Sequence, residues 1–437
     1  MPPRDPEGGL EPCLLVAVQL PNASDEDTAD SLAELGALAR TAGAEVVASR
    51  VQKRSSYEPA TVLGKGKVEE VARAASESGA TLVVFDNELT ITQQDRLASA
   101  LDARVIDRTA LILDIFAQHA HTREGATQVE LAQLSYLLPR IRGRGVELSR
   151  LGGGMGTRMG PGETKLEVDR RRIRSRMRKL EQDLDQMEAV RKTQRKQRVR
   201  AGLPSMCLVG YTNSGKSSLL NRLTSASVLV EDQLFSTLDS TTRKLLLPDG
   251  QQAVASDTVG FIRKLPHELV AAFRSTLEVV READLLVHVV DATRDPVLAE
   301  MVRAVEEVLE DLGAQGIPRL VALNKIDAVE LSQLAYMERA FPDAIKISAL
   351  AGTGIDALLE AASRQIATSR VVQLYVPAGR GEILSALYRD GSVLAREVEE
   401  DTILVTVSLP PEKISRYGEF LRDYREQGIS IAPPSDH

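Results

Sequence analysis

Gly210-Tyr211-Thr212-Asn213-Ser214-Gly215-Lys216-Ser217 reads G-x-x-x-x-G-K-S. No other stretch constrains the chain as much, because this spacing has meaning only between a buried strand and the first turn of a helix. The flanks agree: Met206–Val209 is an apolar, strand-like run and Ser218–Leu223 opens as a helix. Glycines at 210 and 215 let the backbone curl until successive N–H groups point inward at phosphate oxygens. Lys216 adds a positive charge for the β- and γ-phosphates, and Ser217 offers a hydroxyl to Mg²⁺. A Gly/Ser turn before an ordinary helix would satisfy the bare pattern, so the decision falls to the residues downstream.

Three further signals follow in order. Asp257-Thr258-Val259-Gly260 is a D-x-x-G, whose Asp can hold Mg²⁺ through water and whose Gly N–H can sense a γ-phosphate. Asn324-Lys325-Ile326-Asp327 follows the apolar run Leu320–Leu323. A carboxylate there accepts from the N1 and N2 edge of guanine, which adenine does not present. Ser348-Ala349-Leu350, after Ile345–Ile347, is placed to give a backbone N–H to guanine O6. Four signals at strand ends, in this order, describe a GTP-binding α/β domain over about 201–368. Phe261 follows Gly260 where a water-orienting Gln is expected. Phenylalanine cannot position water, so a partner supplies the group or unaided turnover is slow; Phe261 as a packing anchor fits both. Asn213 stands where potassium-activated GTPases carry an Asn beside the phosphates, and it also suits a plain turn.

The net charge of −8 conceals a basic segment: from Pro139 to Arg200 there are 19 Lys/Arg against 8 Asp/Glu. Within it, 142–165 interleaves Gly143, Gly145, Gly152, Gly153, Gly154, Gly156, Gly160 and Gly162 with Arg142, Arg144, Arg150, Arg158 and Lys165. Such a stretch cannot bury a core and reads as the tip of an arm. On either side, Leu131, Leu134, Leu138 and Ile141, then Leu166, Ile173, Leu180 and Met187, fall at helical spacings. They predict two helices paired antiparallel over about 126–200. A solvated charged face is one reading of the arm; a polyanion such as RNA as partner is the preferred one.

Residues 1–125 alternate strand and helix, with strands at Cys13–Leu20, Ala44–Val51, Thr81–Asp86 and Ala103–Asp107, which predicts a small, mostly parallel α/β domain. Gly64-Lys65-Gly66-Lys67 lacks the other glycines of a dinucleotide fingerprint and reads as a turn opening a helix. Residues 369–437 read as a small α+β domain with strands at Gln373–Val376, Val393–Glu397 and Thr402–Val407 and helices at Gly381–Arg389 and Glu412–Tyr424. The absence of Trp and 3% aromatic content argue against a stacking platform for single-stranded nucleic acid. No apolar run reaches the ~18 residues of a membrane span. Met1–Pro12 lacks the layout of a signal peptide. Cys13 and Cys207 sit in apolar runs, as buried thiols of a reducing compartment do. A cytoplasmic, monomeric protein is the expectation.

The chain resembles the HflX family of ribosome-associated GTPases, within the Obg–HflX superfamily. Gly160-Pro161-Gly162-Glu163-Thr164-Lys165-Leu166-Glu167 with Asp169-Arg170-Arg171-Arg172 carries the resemblance beyond a generic GTPase. Leu234-Phe235-Ser236-Thr237-Leu238-Asp239 and Asp257-Thr258-Val259-Gly260-Phe261-Ile262 add to it. The resemblance implies binding to the large ribosomal subunit with rRNA contacts over 142–179, the splitting of stalled ribosomes, and a ferredoxin-like C-terminal domain. It also implies that Thr237 joins Ser217 on Mg²⁺, with Phe235–Asp239 among the nucleotide contacts. From the residues alone, an RNA-modification or assembly GTPase and a signalling switch remain open beside it.

Overall fold

Apolar β-branched runs separated by capped helices build the first sheet. The computed structural model describes residues 10–141, 165–200, 203–224, 234–235, 241–264, 274–294, 298–366, 370–399, 402–409, 411–426 and 429–430. The chain divides into two units. One comprises Met1–Val190 with Glu231–Asp239 and Ile262–Thr276; the other comprises Arg191–Val230, Ser240–Phe261 and Leu277–His437.

In the first unit, β1 (Glu11–Gln19), β2 (Ala44–Lys53), β3 (Leu82–Phe85) and β4 (Arg104–Asp107) form a wholly parallel sheet in the order β2-β1-β3-β4. β1 and β3 are covered on both faces, which is why they read as continuous apolar runs. The crossovers are α1 (Asp25–Thr41), α2 (Lys65–Ser78) and α3 (Ile91–Leu101). Ser24 with Asp27, and Thr90 with Gln93, close capping boxes at the starts of α1 and α3. Gly64 caps α2, and its N–H donates to Gln52 Oε1 at 3.0 Å. The G-K-G-K stretch is therefore a helix-opening turn, as its sequence favours.

α4 (Arg108–His119), α5 (Arg123–Leu137) and α6 (Lys165–Arg200) follow. α5 and α6 run antiparallel, since the Arg170 guanidinium donates to Ile141 O at 3.2 Å while Arg176 pairs with Glu130 at 2.6 Å. Ile173 and Leu180, two of the apolar residues spaced for pairing on α6, are buried. On α5, however, Leu131 and Leu134 are only half-buried, as are Leu138 and Ile141 just beyond it, and Val129, Ala132 and Tyr136 carry the packing. Tyr136 is placed by its hydroxyl, which donates to Asp107 at 3.0 Å. Arg171, Arg172, Arg174, Arg178 and Lys179 are exposed. The Gly/Arg-rich tip, 142–164, lies outside the described residues.

At the start of α4 Arg108, 2% exposed, pairs with Asp86 at 2.6 Å and also with Glu34. Lys264 joins the cluster, donating to Ser31 Oγ at 2.9 Å and pairing with Asp86. Burial works against the Asp86 charge, yet the two cations hold its carboxyl below the usual range.

The second unit contains a six-stranded sheet, order β10-β9-β8-β5-β7-β6. Its strands are β5 (Ser205–Val209), β6 (Thr242–Leu246), β7 (Gln252–Asp257), β8 (Leu285–Asp291), β9 (Arg319–Asn324) and β10 (Ile345–Lys346). All are parallel to their neighbours except β6, which runs antiparallel to β7. α7 (Lys216–Thr224) and the helix Ile355–Ile366 bury Leu219, Leu220, Leu358 and Ala362 against Leu208, Val287 and Val289. Leu298 and Val302 pack with Val290 and Leu323 in a second cluster.

His288 lies in the middle of β8, between Val209 and Val321, and is 2% exposed. Its Nδ1 has no hydrogen-bond partner among the described residues. Burial pushes it down to about 3, and the cations of Arg319 and Lys216 act the same way. As pH falls through about 6.5 the unfolded chain takes up a proton that the folded chain refuses. Stability is therefore complete above that pH and declines below it by up to about 1.4 kcal/mol per pH unit. Denaturant melts from pH 7 to 4 check this, and His288→Leu should have a shallower acid slope than the unaltered chain.

The remaining strands are β11 (Arg370–Pro377), β12 (Ser392–Glu399), β13 (Thr402–Leu409), β14 (Leu421–Glu426) and β15 (Ile429–Ser430), in the antiparallel order β12-β13-β11-β14-β15. With Gly381–Asp390 helical between β11 and β12, this is the ferredoxin-like α+β arrangement. One expectation fails here. Glu412–Tyr424 is not a single helix: Pro411–Ile414 and Ser415–Phe420 are short helical turns, and Leu421–Tyr424 belongs to β14, paired with Val372–Leu374. Gly418 weakens any helix through that point, and Tyr417, 3% exposed, anchors the turn in the core.

Candidate nucleotide-binding site

The loop Gly210–Gly215 lies between the end of β5 and the start of α7, and two of its positions admit only glycine. At Gly210 φ is +151°, and a Cβ would stand 2.2 Å from Val289 O. At Gly215 φ is +91°, and a Cβ would stand 2.2 Å from Asn324 Nδ2. Asn213 adopts φ +60°, which its short polar side chain tolerates. Gly260 presses on the same loop, since a Cβ there would lie 2.6 Å from Thr212 Cα and 3.1 Å from Lys216 Nζ.

Lys216 is 5% exposed, and its Nζ donates to Gly210 O at 3.1 Å and Tyr211 O at 2.9 Å. Burial pushes its ammonium down to about 8; Asp257 opposes that and Lys325 adds to it. Ser217 Oγ donates to Asp257 Oδ2 at 2.6 Å. The other carboxylate oxygen of Asp257 accepts from Thr258 N at 2.9 Å, and Thr258 Oγ1 is tied to Leu208 O at 2.7 Å. A hydroxyl and a carboxylate side by side are hard oxygen donors of the kind that suit Mg²⁺, which takes few protein ligands and fills the rest with water and phosphate.

Phe261 is 2% exposed, so its side chain has no role in orienting water. Its backbone is stitched to the loop, with Phe261 N donating to Gly210 O at 3.1 Å and Phe261 O accepting from Thr212 N at 2.7 Å. The anchor reading of this residue is the one the structure shows.

The base-side segments are held by the same loop. Asn324 Nδ2 donates to Ser214 O at 2.8 Å, and its Oδ1 accepts from Ala349 N at 2.9 Å. Lys325, at φ +65°, sends Nζ to Asn213 O and to Asp291 Oδ2, both at 2.8 Å. Asp327 is exposed on the short turn Ile326–Ala328. Ser348, fully buried, accepts from Ala351 N at 2.9 Å, and Leu350 is 80% exposed.

Gly210–Ser217, Asp257–Phe261, Asn324–Asp327 and Ser348–Leu350 thus converge at one end of one sheet. Ser236, Thr237, Leu238 and Asp239 lie outside the described residues. Phe235 belongs to the first unit, where its ring meets Phe116 edge-on at 4.7 Å. Two residues of the site escape motif reading. Asp291, at the end of β8, signals itself only as another acid at a strand end; Arg222, discussed below, gives no signal at all.

Family profiles cover most of the chain: "GTP-binding GTPase N-terminal" over 29–117, "GTP-binding GTPase Middle Region" over 119–198 and "50S ribosome-binding GTPase" over 205–325. The chain is 47% identical over 412 residues to GTPase HflX of Caldanaerobacter subterraneus subsp. tengcongensis, covering 94% of each chain. It belongs to the HflX family of GTPases. GTPase HflX of Escherichia coli is 42% identical over 400 residues, covering 90% of this chain and 93% of that one. GTPase HflX of Lacrimispora saccharolytica is 44% identical over 406 residues, covering 92% and 94%. As an HflX-family protein the chain binds and hydrolyses GTP, and the P-loop architecture described above is its nucleotide-binding domain.

Proposed function

We propose that this HflX-family GTPase acts on the large ribosomal subunit and couples GTP binding and hydrolysis to the separation of stalled ribosomes. The observation that carries the reading is the match of 205–325 to a family described as a 50S ribosome-binding GTPase. The charge of the arm supports it: a long helix with six exposed cations between 171 and 179 suits a phosphate backbone. In this reading 142–179 meets rRNA. The protein works in the cytoplasm as a monomer, and no helix among the described residues is long and apolar enough to cross a membrane.

Each nucleotide contact has a physical role in the proposal. The N–H groups of Gly210–Gly215 and the Lys216 ammonium hold the phosphates. Ser217 and Thr237 hold Mg²⁺, with Asp257 acting through water. Mg²⁺, when bound, offsets the charge that develops on the phosphate oxygens. Phe235–Asp239 and Asp257–Gly260 are further nucleotide contacts, and Asn324, Lys325, Asp327, Ser348, Ala349 and Leu350 hold guanine. Asn213 adds a K⁺ ion beside the phosphates. GTP turnover in K⁺ should exceed that in Na⁺ at equal ionic strength, and equal rates would reject the K⁺ site. Sedimentation with purified subunits tests the partner: the chain should travel with large subunits at moderate salt, whereas binding only to free RNA would favour an RNA-modification role.

A further inference from the structure

Arg222 lies on α7, beyond the phosphate loop and away from any motif. Its guanidinium reaches the Ser348-Ala349-Leu350 loop, with Nε donating to Ala349 O at 3.1 Å and Nη2 donating to Leu350 O. Gly352, at φ +85°, lies beside the same group, and a Cβ there would be in ordinary contact with the guanidinium carbon at 3.6 Å. The loop wraps the guanidinium.

The backbone donors of that loop are nearly all committed. Ser348 N donates to Thr353 O at 2.9 Å, Ala349 N to Asn324 Oδ1 at 2.9 Å, Ala351 N to Ser348 Oγ at 2.9 Å and Gly352 N to Ser348 O at 2.7 Å. Leu350 N has no partner among the described residues. Its peptide plane is the one whose carbonyl is Ala349 O, and a peptide is rigid, so whatever fixes that carbonyl aims that N–H. Arg222 fixes it.

We propose that Arg222 is a positioning residue for base recognition: by holding the Ala349–Leu350 peptide it aims the Leu350 N–H at guanine O6. The proposal rests on the reading of 348–350 and Asp327 as the guanine site. Arg222 links base recognition to the helix that starts at Lys216, because the same α7 carries both residues. Two carbonyls clamped by one planar fork give a geometry that Lys cannot copy.

The test compares Arg222→Ala with the unaltered chain on three ligands: GDP; 6-thio-GDP, in which a poorly accepting sulfur replaces O6; and IDP, which keeps O6 but lacks the N2 amine. GDP should bind the variant about fivefold to tenfold more weakly, the cost of one hydrogen bond left unaimed. 6-thio-GDP should change little, and the GDP-to-IDP preference, set by Asp327, should be preserved. Arg222→Lys should recover only part of the GDP affinity. A role confined to general loop stability would weaken GDP and 6-thio-GDP alike, and that result, or unchanged GDP binding, overturns the proposal. Equal binding of GDP and ADP by the unaltered chain would instead overturn the guanine-site reading, and the proposal with it.

Discussion

Asp327→Asn should exchange guanine for xanthine. The carboxylate accepts from both N1–H and N2–H₂ of guanine, whereas an amide can accept from one and must turn a donor toward the other. Two hydrogen bonds to a charged group, at about 1.5–3 kcal/mol each, correspond to a loss of roughly a hundredfold to ten-thousandfold in GTP affinity. XTP, which presents a carbonyl where guanine carries the amine, should gain by a comparable factor. Asp327 is exposed and belongs to no core cluster, so the variant should keep the stability of the unaltered chain. Titrations with GTP and XTP decide it, and unaltered GTP binding in Asp327→Asn would show that the base is read elsewhere.

How much of this site the sequence discloses follows from what fixes each residue. Gly210 and Gly215 are legible because backbone geometry imposes them: the φ values and the close approaches of Val289 O and Asn324 Nδ2 exclude every other side chain. Asp257, Asn324 and Asp327 are legible because guanine nucleotide chemistry demands those groups after those strands. Arg222 is not, since its value comes from partners 127 and 128 residues away, and nothing local marks it. The same distinction governs the fold. The capping boxes and apolar runs of the parallel sheet are local and announce themselves. The segment Leu421–Tyr424 is a strand only because β11 offers an open edge, a partner that helical periodicity cannot see. On α5, helical spacing points to Leu131 and Leu134, but Tyr136 takes the core because Asp107 accepts its hydroxyl.

Replacing 142–164 with a short neutral linker should abolish ribosome splitting and leave nucleotide binding intact. Every base- and phosphate-side interaction described above lies at Gly210 or beyond, so the deletion touches none of them. Charge reversal at Arg170, Arg171 and Arg172 should act on ribosome affinity instead. A phosphate that no cation neutralises keeps its counterion, which lowers the slope of log K against log salt by about 0.7–0.9 per phosphate. Binding should therefore weaken and its salt dependence flatten. Arg170 also donates to Ile141 O and Arg172 lies 3.9 Å from Asp169, so the stability of the reversed variant is measured beside its ribosome affinity. A tip-deleted chain that still separates subunits at the normal rate would reduce the arm to a solvated face.

In the proposed function the ribosome completes a site that the chain leaves unfinished. Phe261 is packed away where a water-orienting side chain would stand, and positioning with charge stabilisation provides most of phosphoryl-transfer catalysis. GTP hydrolysis by the purified chain, measured alone and then with purified large or small ribosomal subunits, tests this most directly. The chain alone should turn over slowly, large subunits should accelerate it by at least about tenfold, well below the roughly 10³–10⁵ that an arginine finger supplied in trans contributes, and small subunits should not. A rate that is already high in isolation, or that large subunits leave unchanged, would contradict the account.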